Sequence, residues 1–181
     1  MRERGLANAT TKLIAAAAGY SEAMLYKHFT DKQELFLAVL EERTPPVRID
    51  LTAAGNGDLT ENLVSLVEQL MGFFTLTFPI AASVFGAPDL LAQHRDGVAA
   101  HGRGPAGPVL AVQSYLEAER AKGRLGSGAD TASAAHLLVG AAFHQGFLAA
   151  FEGLDSVPDA AAKAGGIAAT IAAALHKPEP A

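Results

Sequence analysis

Around Gly19 the chain carries a spacing that leaves few local folds open: Ala15, four residues to Gly19, then two residues to Ser21. Thr10 or Thr11 can cap a helix running through Leu13, Ile14 and Ala17. Gly19 falls where that helix must end in a left-handed residue, a conformation that a Cβ resists. Ser21 then caps a second helix, which carries Leu25 and Phe29 inward. Ala15 lies on the face that the second helix must approach closely, so only a small residue fits there. Small residue, glycine and N-cap in this order are the pattern of a helix-turn-helix.

The outward positions of the second helix are Glu22, Ala23, Tyr26, Lys27 and His28. A helix laid in the major groove needs side chains that reach phosphates and base edges, and Tyr, Lys and His supply donors for both. Lys32, beside Thr30 and Asp31 at the start of a third helix, adds charge next to free backbone N–H groups that suit a phosphate. The same residues would also suit an ordinary surface helix, so spacing alone leaves both readings open.

Charge supports the first reading weakly. The net charge is −5, yet residues 1–48 hold seven Lys/Arg against six Asp/Glu, and residues 49–181 hold seven against thirteen. A near-neutral head on an acidic body suits a polyanion partner for the head. The chain has no cysteine, which excludes disulfides and thiol catalysis. No basic start followed by an apolar run suggests export, so a cytoplasmic protein is expected.

Hydrophobic residues make up 50% of the chain and recur at three- and four-residue spacing, without period-2 runs. The expected fold class is all-α, a helix-turn-helix head followed by a helical-bundle domain. The stretch RTPPVRIDLTAAGNGD, residues 43–58, marks the expected border between a head of residues 1–46 and a body of residues 47–181. A helix is expected from Thr60, stopped or bent at Pro79, and one interrupted helix or two short ones after it. Gly97, Gly102, Gly104 and Gly107 with two prolines make residues 95–108 the expected loop. Further helices should end at Gly123, run from an Asp130 cap to Gly153, and close the chain around Ile167, Ile171 and Leu175. Residues 133–151 carry no formal charge, but His136, His144 and Gln145 interrupt them, and no basic or aromatic flank marks a membrane span. A helix buried between protein partners, with no membrane partner, is the expectation. Small-residue faces on the last two helices suit close packing and a two-fold dimer.

The stretch TTKLIAAAAGYSEAMLYKHFTDKQELFLAVLE, residues 10–41, resembles the head of TetR-family transcriptional regulators almost position for position. The resemblance implies that Thr11 and Ser21 start the two helices and that Tyr26 and Lys32 touch backbone phosphates. It further implies that Lys27 and His28 face the groove, with Glu22 and Ala23 where base-reading residues are found. AKGRLGSGADTASAAHLLVGAAFHQGF is similar in style to that family's dimerisation region, which places His136, Leu137, Gly140, Leu148, Phe151, Ile167, Ile171 and Leu175 at a homodimer interface. Members of the family have a further helix before the first one seen here. Residues 1–5 match only its tail, so the expectation is a head truncated at its first helix, with weakened DNA binding.

The family's layout also implies a pocket for a small-molecule effector in the body, of apolar or aromatic character. Its candidate lining is Met71, Phe74, Phe78, Phe85, Tyr115, Phe143 and Phe147, with Gln113, His144 and Gln145 as polar handles. Core packing explains the same residues, so both readings stand. The histidines show no metal-ligand spacing, and no phosphate loop or nucleophile elbow is present. No metal, no cofactor and no catalytic residue is expected. The reading is thus an effector-responsive, dimeric repressor that leaves a palindromic double-stranded DNA operator when its effector binds. The alternative is a helical ligand-binding or scaffolding dimer that has lost DNA binding.

Overall fold

The computed structural model describes residues 11–29, 34–35, 54–101 and 104–176. Among the described residues there are seven helices and no strand. They are α1 (Thr11–Ala17), α2 (Glu22–His28), α3 (Leu59–Phe85), α4 (Pro88–His101), α5 (Gly107–Ala121), α6 (Thr131–Phe151) and α7 (Ala160–Leu175). The chain divides into two compact units, Met1–Pro45 with Thr77–Gly104 and Pro46–Leu76 with Pro105–Ala181. The division therefore falls near residue 45, again inside α3, and once more after α4.

Local chemistry fixes the helix ends. After α1, Gly19 sits at φ 74°, its N–H donates to the Ala16 carbonyl (3.2 Å), and the Tyr20 N–H donates to the Ala15 carbonyl (2.9 Å). Those two bonds satisfy carbonyls that the helix itself leaves unpaired. The same device closes α5 at Gly123, with the Arg124 N–H on the Glu119 carbonyl, and α6 at Gly153, with the Leu154 N–H on the Ala149 carbonyl. Helix starts are equally legible. Ser21 caps α2 by accepting from the Met24 N–H, and Asp130 caps α6 by accepting from the Ser133 N–H at 3.0 Å.

Of the two outcomes expected at Pro79 the stop is excluded, because the 27-residue helix α3 runs through it. Proline's fixed φ fits a helix, and what it removes is the one bond that would reach the Thr75 carbonyl. The loop expected over residues 95–108 is shorter, because α4 continues through Gly97 to His101 and α5 starts at Gly107. A lone glycine weakens a helix by only about 1 kcal/mol, too little to end it. The border region 43–58 lies outside the described residues up to position 53.

The larger unit is built on the first part of α3 with α5, α6 and α7. Leu63, Val67, Leu70, Met71, Val112, Leu116, Leu138 and Ala142 are fully or almost fully buried in its core. Each large aliphatic side chain so buried contributes roughly 1.5–3 kcal/mol before the entropy of ordering is counted. At Gly146, α6 meets the backbone of α3: an added Cβ would lie 2.7 Å from the Phe74 Cβ and 2.9 Å from the Thr75 nitrogen. By length and apolarity alone α3 and α6 could cross a membrane. Of those apolar stretches 33% and 39% is buried inside the chain. In the smaller unit Val84 and Leu90 are buried, with Ile80, Ala87 and Leu91 against them.

Candidate nucleic-acid interface

The glycine turn sets the direction of α2, and the seven residues of α2 then present their polar side chains outward. Glu22, Ala23, Tyr26, Lys27 and His28 are all exposed, whereas Leu25 and Phe29 are half-buried. Ala15 is buried, as its place opposite the turn requires. Leu13 is exposed at 48%. Lys32 lies outside the described residues, as do residues 1–10, on which the expected truncation of a preceding helix falls.

Three of the candidate side chains are joined. The Thr11 hydroxyl, at the start of α1, donates to Glu22 Oε1, and Tyr26 Oη lies 3.4 Å from the same hydroxyl. A carboxylate has no proton to give, so the threonine proton belongs to Glu22 and the tyrosine donates to the threonine. The chain Tyr26, Thr11, Glu22 thus bridges the two helices across the exposed face.

Segment 1–39 matches the model of the tetR family of bacterial regulatory proteins. That segment is similar to the helix-turn-helix head of the tetR family. The nucleoid occlusion factor SlmA of Escherichia coli is 39% identical to the chain over 66 residues, 35% of this chain and 33% of SlmA. The similarity therefore spans about a third of the length of these curated relatives. Across nearly the whole chain the fold is shared with a TetR-family regulator of Mesorhizobium loti, at TM-score 0.75 and 20% identity, covering 95% of this chain and 89% of that one. It is also shared with the fatty acid degradation regulator FadR of Bacillus halodurans, at TM-score 0.66, 17% identity and coverage of 94% and 87%. A third is SmeT, the repressor of the Stenotrophomonas maltophilia multidrug efflux pump SmeDEF, at TM-score 0.64, 22% identity and coverage of 98% and 85%.

The candidate pocket residues divide by environment. Phe74 and Phe143 meet edge to face at 5.2 Å, and Phe73 stands edge-on to Phe74 at 5.1 Å. Phe147 lies 6.1 Å from Phe151, Gln113 is half-buried and His144 is exposed. Met71 is buried in the core. Phe78 and Phe85 lie in the part of α3 that belongs to the smaller unit, Phe78 half-buried and Phe85 70% exposed. Tyr115 is core: its hydroxyl donates to Glu119 Oε1 at 2.6 Å.

The candidate dimer residues divide likewise. His136, Leu137, Gly140, Leu148 and Phe151 are exposed along α6, with Leu137 and Phe151 at 65% and 79%. Leu137, Gly140, His144, Leu148 and Phe151, all exposed, follow one another at three- and four-residue spacing, which is one stripe of a helix. Ile167 is half-buried. Ile171 and Leu175 face the core of their own subunit, at 6% and 1% exposure, so the outward face of α7 is formed by Gly166, Ala169, Thr170 and Ala173. In an all-apolar helix four-residue spacing cannot tell the two faces apart.

One group is absent from the sequence-based expectations altogether. Glu119 is fully buried, accepts from the Tyr115 hydroxyl and from the Gly55 N–H (3.1 Å), and forms an ion pair with Arg124 Nε (3.3 Å). Arg124 also donates to the Gly57 carbonyl at 2.9 Å, and Lys122 Nζ donates to the Ala54 carbonyl. The end of α5 thereby grips the backbone of residues 54–57, just before α3. Burial first, and the bond to Glu119 second, hold the Tyr115 phenol well above the usual tyrosine range. A signal was present: Val112, Tyr115, Leu116 and Glu119 fall on one helical stripe, and a carboxylate on an apolar stripe demands partners.

Proposed function

We propose that the chain is a dimeric transcriptional repressor that binds a palindromic double-stranded DNA operator through α2 and is released when a small molecule occupies the helical body. The observation that carries this reading is the exposed row Glu22, Ala23, Tyr26, Lys27 and His28 on the helix after the Gly19 turn, within the segment that matches the family. Tyr26, Lys27 and Lys32 would hold phosphates, and the first turn of α2 would face base edges.

The exposed stripe of α6 supports pairing with a second copy, since an apolar helix face of that length is normally covered. Two heads related by a two-fold axis would then read half-sites about one helical turn apart, or a multiple of it. Phe74 and Phe143 offer aromatic surface to an apolar or aromatic effector. The neighbours FadR and SmeT, named for fatty acid degradation and multidrug efflux, put the same fold beside chemistry of that kind. Release needs an effector that binds more tightly to the dimer whose heads are wrongly spaced for the operator.

Titration of a fluorescent duplex selected from a random pool tests the reading. Affinity should fall on the order of a thousandfold between roughly 50 and 200 mM salt if about six phosphates are neutralised. Flat salt dependence, or failure to enrich any duplex, overturns it.

A further inference from the structure

Glu22 is the odd member of the proposed DNA face. It is the one acidic side chain on α2, in its first turn, and it is exposed. Set against phosphates, a carboxylate weakens binding to every duplex unless a base edge donates to it. Its geometry is held rather than free. Thr11 occupies Oε1 and is itself backed by Tyr26, which leaves Oε2 with no partner among the described residues.

An ionised carboxylate only accepts. In the major groove guanine presents two acceptors, N7 and O6, and thymine presents O4 and a methyl group, so both repel it or leave it unpaired. Adenine presents the N6 amino donor, but with the N7 acceptor beside it. Cytosine presents the N4 amino donor with no acceptor next to it. We infer that Glu22 reads a cytosine of the operator half-site through its N4 amino group, with Thr11 and Tyr26 as positioning residues that hold the carboxylate for it. This rests on the DNA-binding reading above and adds a base to it. Discrimination comes as much from rejecting the other bases as from binding the right one.

The test is selection from a random duplex pool with the full chain and with Glu22→Gln, Glu22→Ala and Thr11→Val. The unaltered protein should fix a cytosine at one position of each half-site, preferred on the order of tenfold over other bases. Glu22→Gln should exchange that cytosine for adenine, which an amide pairs through N6 and N7, and leave the other positions as they were. Glu22→Ala should lose the preference at that position and bind an unselected duplex more tightly, because a negative charge has left the face. Thr11→Val should keep the cytosine but weaken the preference. An unchanged preference in Glu22→Gln and Glu22→Ala overturns the inference while the DNA-binding reading stands. Equal loss of affinity for all duplexes in Glu22→Ala also overturns it, since it would mark Glu22 as a brace between α1 and α2. Enrichment of no duplex by the unaltered chain overturns the DNA-binding reading itself.

Discussion

Two carboxylates of this chain make the same kind of bond in opposite surroundings. Glu22 accepts a hydrogen bond from the Thr11 hydroxyl, with Tyr26 behind it, on the open surface of the head. Glu119 accepts a hydrogen bond from the Tyr115 hydroxyl in the body, where it has no exposed surface at all. In water the first bond exchanges one partner for another and is worth little to stability. In the core no water replaces a lost partner, so the second is worth a great deal to keep, whatever its net gain over an apolar packing. On the proposed reading the head can vary Glu22 to change the base it prefers, while the body cannot vary Glu119 without changing how it folds.

Glu119→Ala should break this contrast most visibly. It leaves the Tyr115 hydroxyl, the Gly55 N–H and the Arg124 side chain to find other partners, and should destabilise the chain by about 3–5 kcal/mol. Glu119→Gln, which keeps the shape and an acceptor oxygen, should lose less. Urea denaturation followed by circular dichroism measures both. A loss below about 1 kcal/mol for Glu119→Ala would mean that water already enters the site.

The next effect concerns backbone approach. Gly146→Ala places a methyl group 2.7 Å from the Phe74 Cβ and 2.9 Å from the Thr75 nitrogen, where backbone must move. It should destabilise by about 1–3 kcal/mol. Gly140 lies six residues earlier on the same helix with nothing within 4 Å of an added Cβ. Gly140→Ala should stabilise an isolated subunit by up to about 1 kcal/mol through helix propensity. If the α6 stripe pairs with a second copy, the same change should weaken the dimer, which sedimentation at graded concentrations would show.

What could be read in advance follows the range of the interactions. The glycine turn at Gly19, the cap at Ser21 and the Asp130 start depend on residues within five positions of one another, and the chain declares them locally. The grip of Glu119 on Gly55 joins residues 64 positions apart, which no local pattern encodes. The direction of Ile171 and Leu175 was hidden for another reason. Alanine and glycine on both faces of α7 leave no amphipathic contrast from which a buried side can be chosen. Pro79 and Gly97 sit inside helices that continue past them, since one lost bond or one flexible residue costs less than it takes to end a helix.

A smaller effect appears with pH. The Tyr115 phenol is held above its ordinary value of 10.0 in the folded chain, so the native state keeps that proton more tightly than the unfolded state does. Its contribution is whole below about pH 10 and is lost as the pH rises beyond it. Stability should therefore decline on the alkaline side, and Tyr115→Phe should abolish that part of the decline at the expense of about 1 kcal/mol at neutral pH. Tyr115 should give a step above the ordinary tyrosine range in an absorbance titration at alkaline pH, and that step should vanish in the variant. The acid side belongs to Asp130. Its carboxylate is lowered by the Ser133 backbone N–H, so its contribution is present above the ordinary value of 3.8 and fades as the pH falls through the lowered one.

The smallest expected change completes the comparison and is the one that most sharpens it. Glu22→Ala removes a carboxylate with a bonded hydroxyl, as Glu119→Ala does, yet should shift stability by less than about 0.5 kcal/mol. Water can solvate Thr11 and Tyr26 once Glu22 is gone, so no polar group is stranded. The same urea experiment measures it, alongside Glu119→Ala under identical conditions. A loss above about 1.5 kcal/mol would show that the Tyr26–Thr11–Glu22 chain carries the cohesion of α1 and α2 rather than the aim of a reading residue. A negligible loss together with altered base preference separates the two functions a carboxylate can have here. At Glu119 the effect falls on the fold, and at Glu22, on the proposed reading, it falls on the partner.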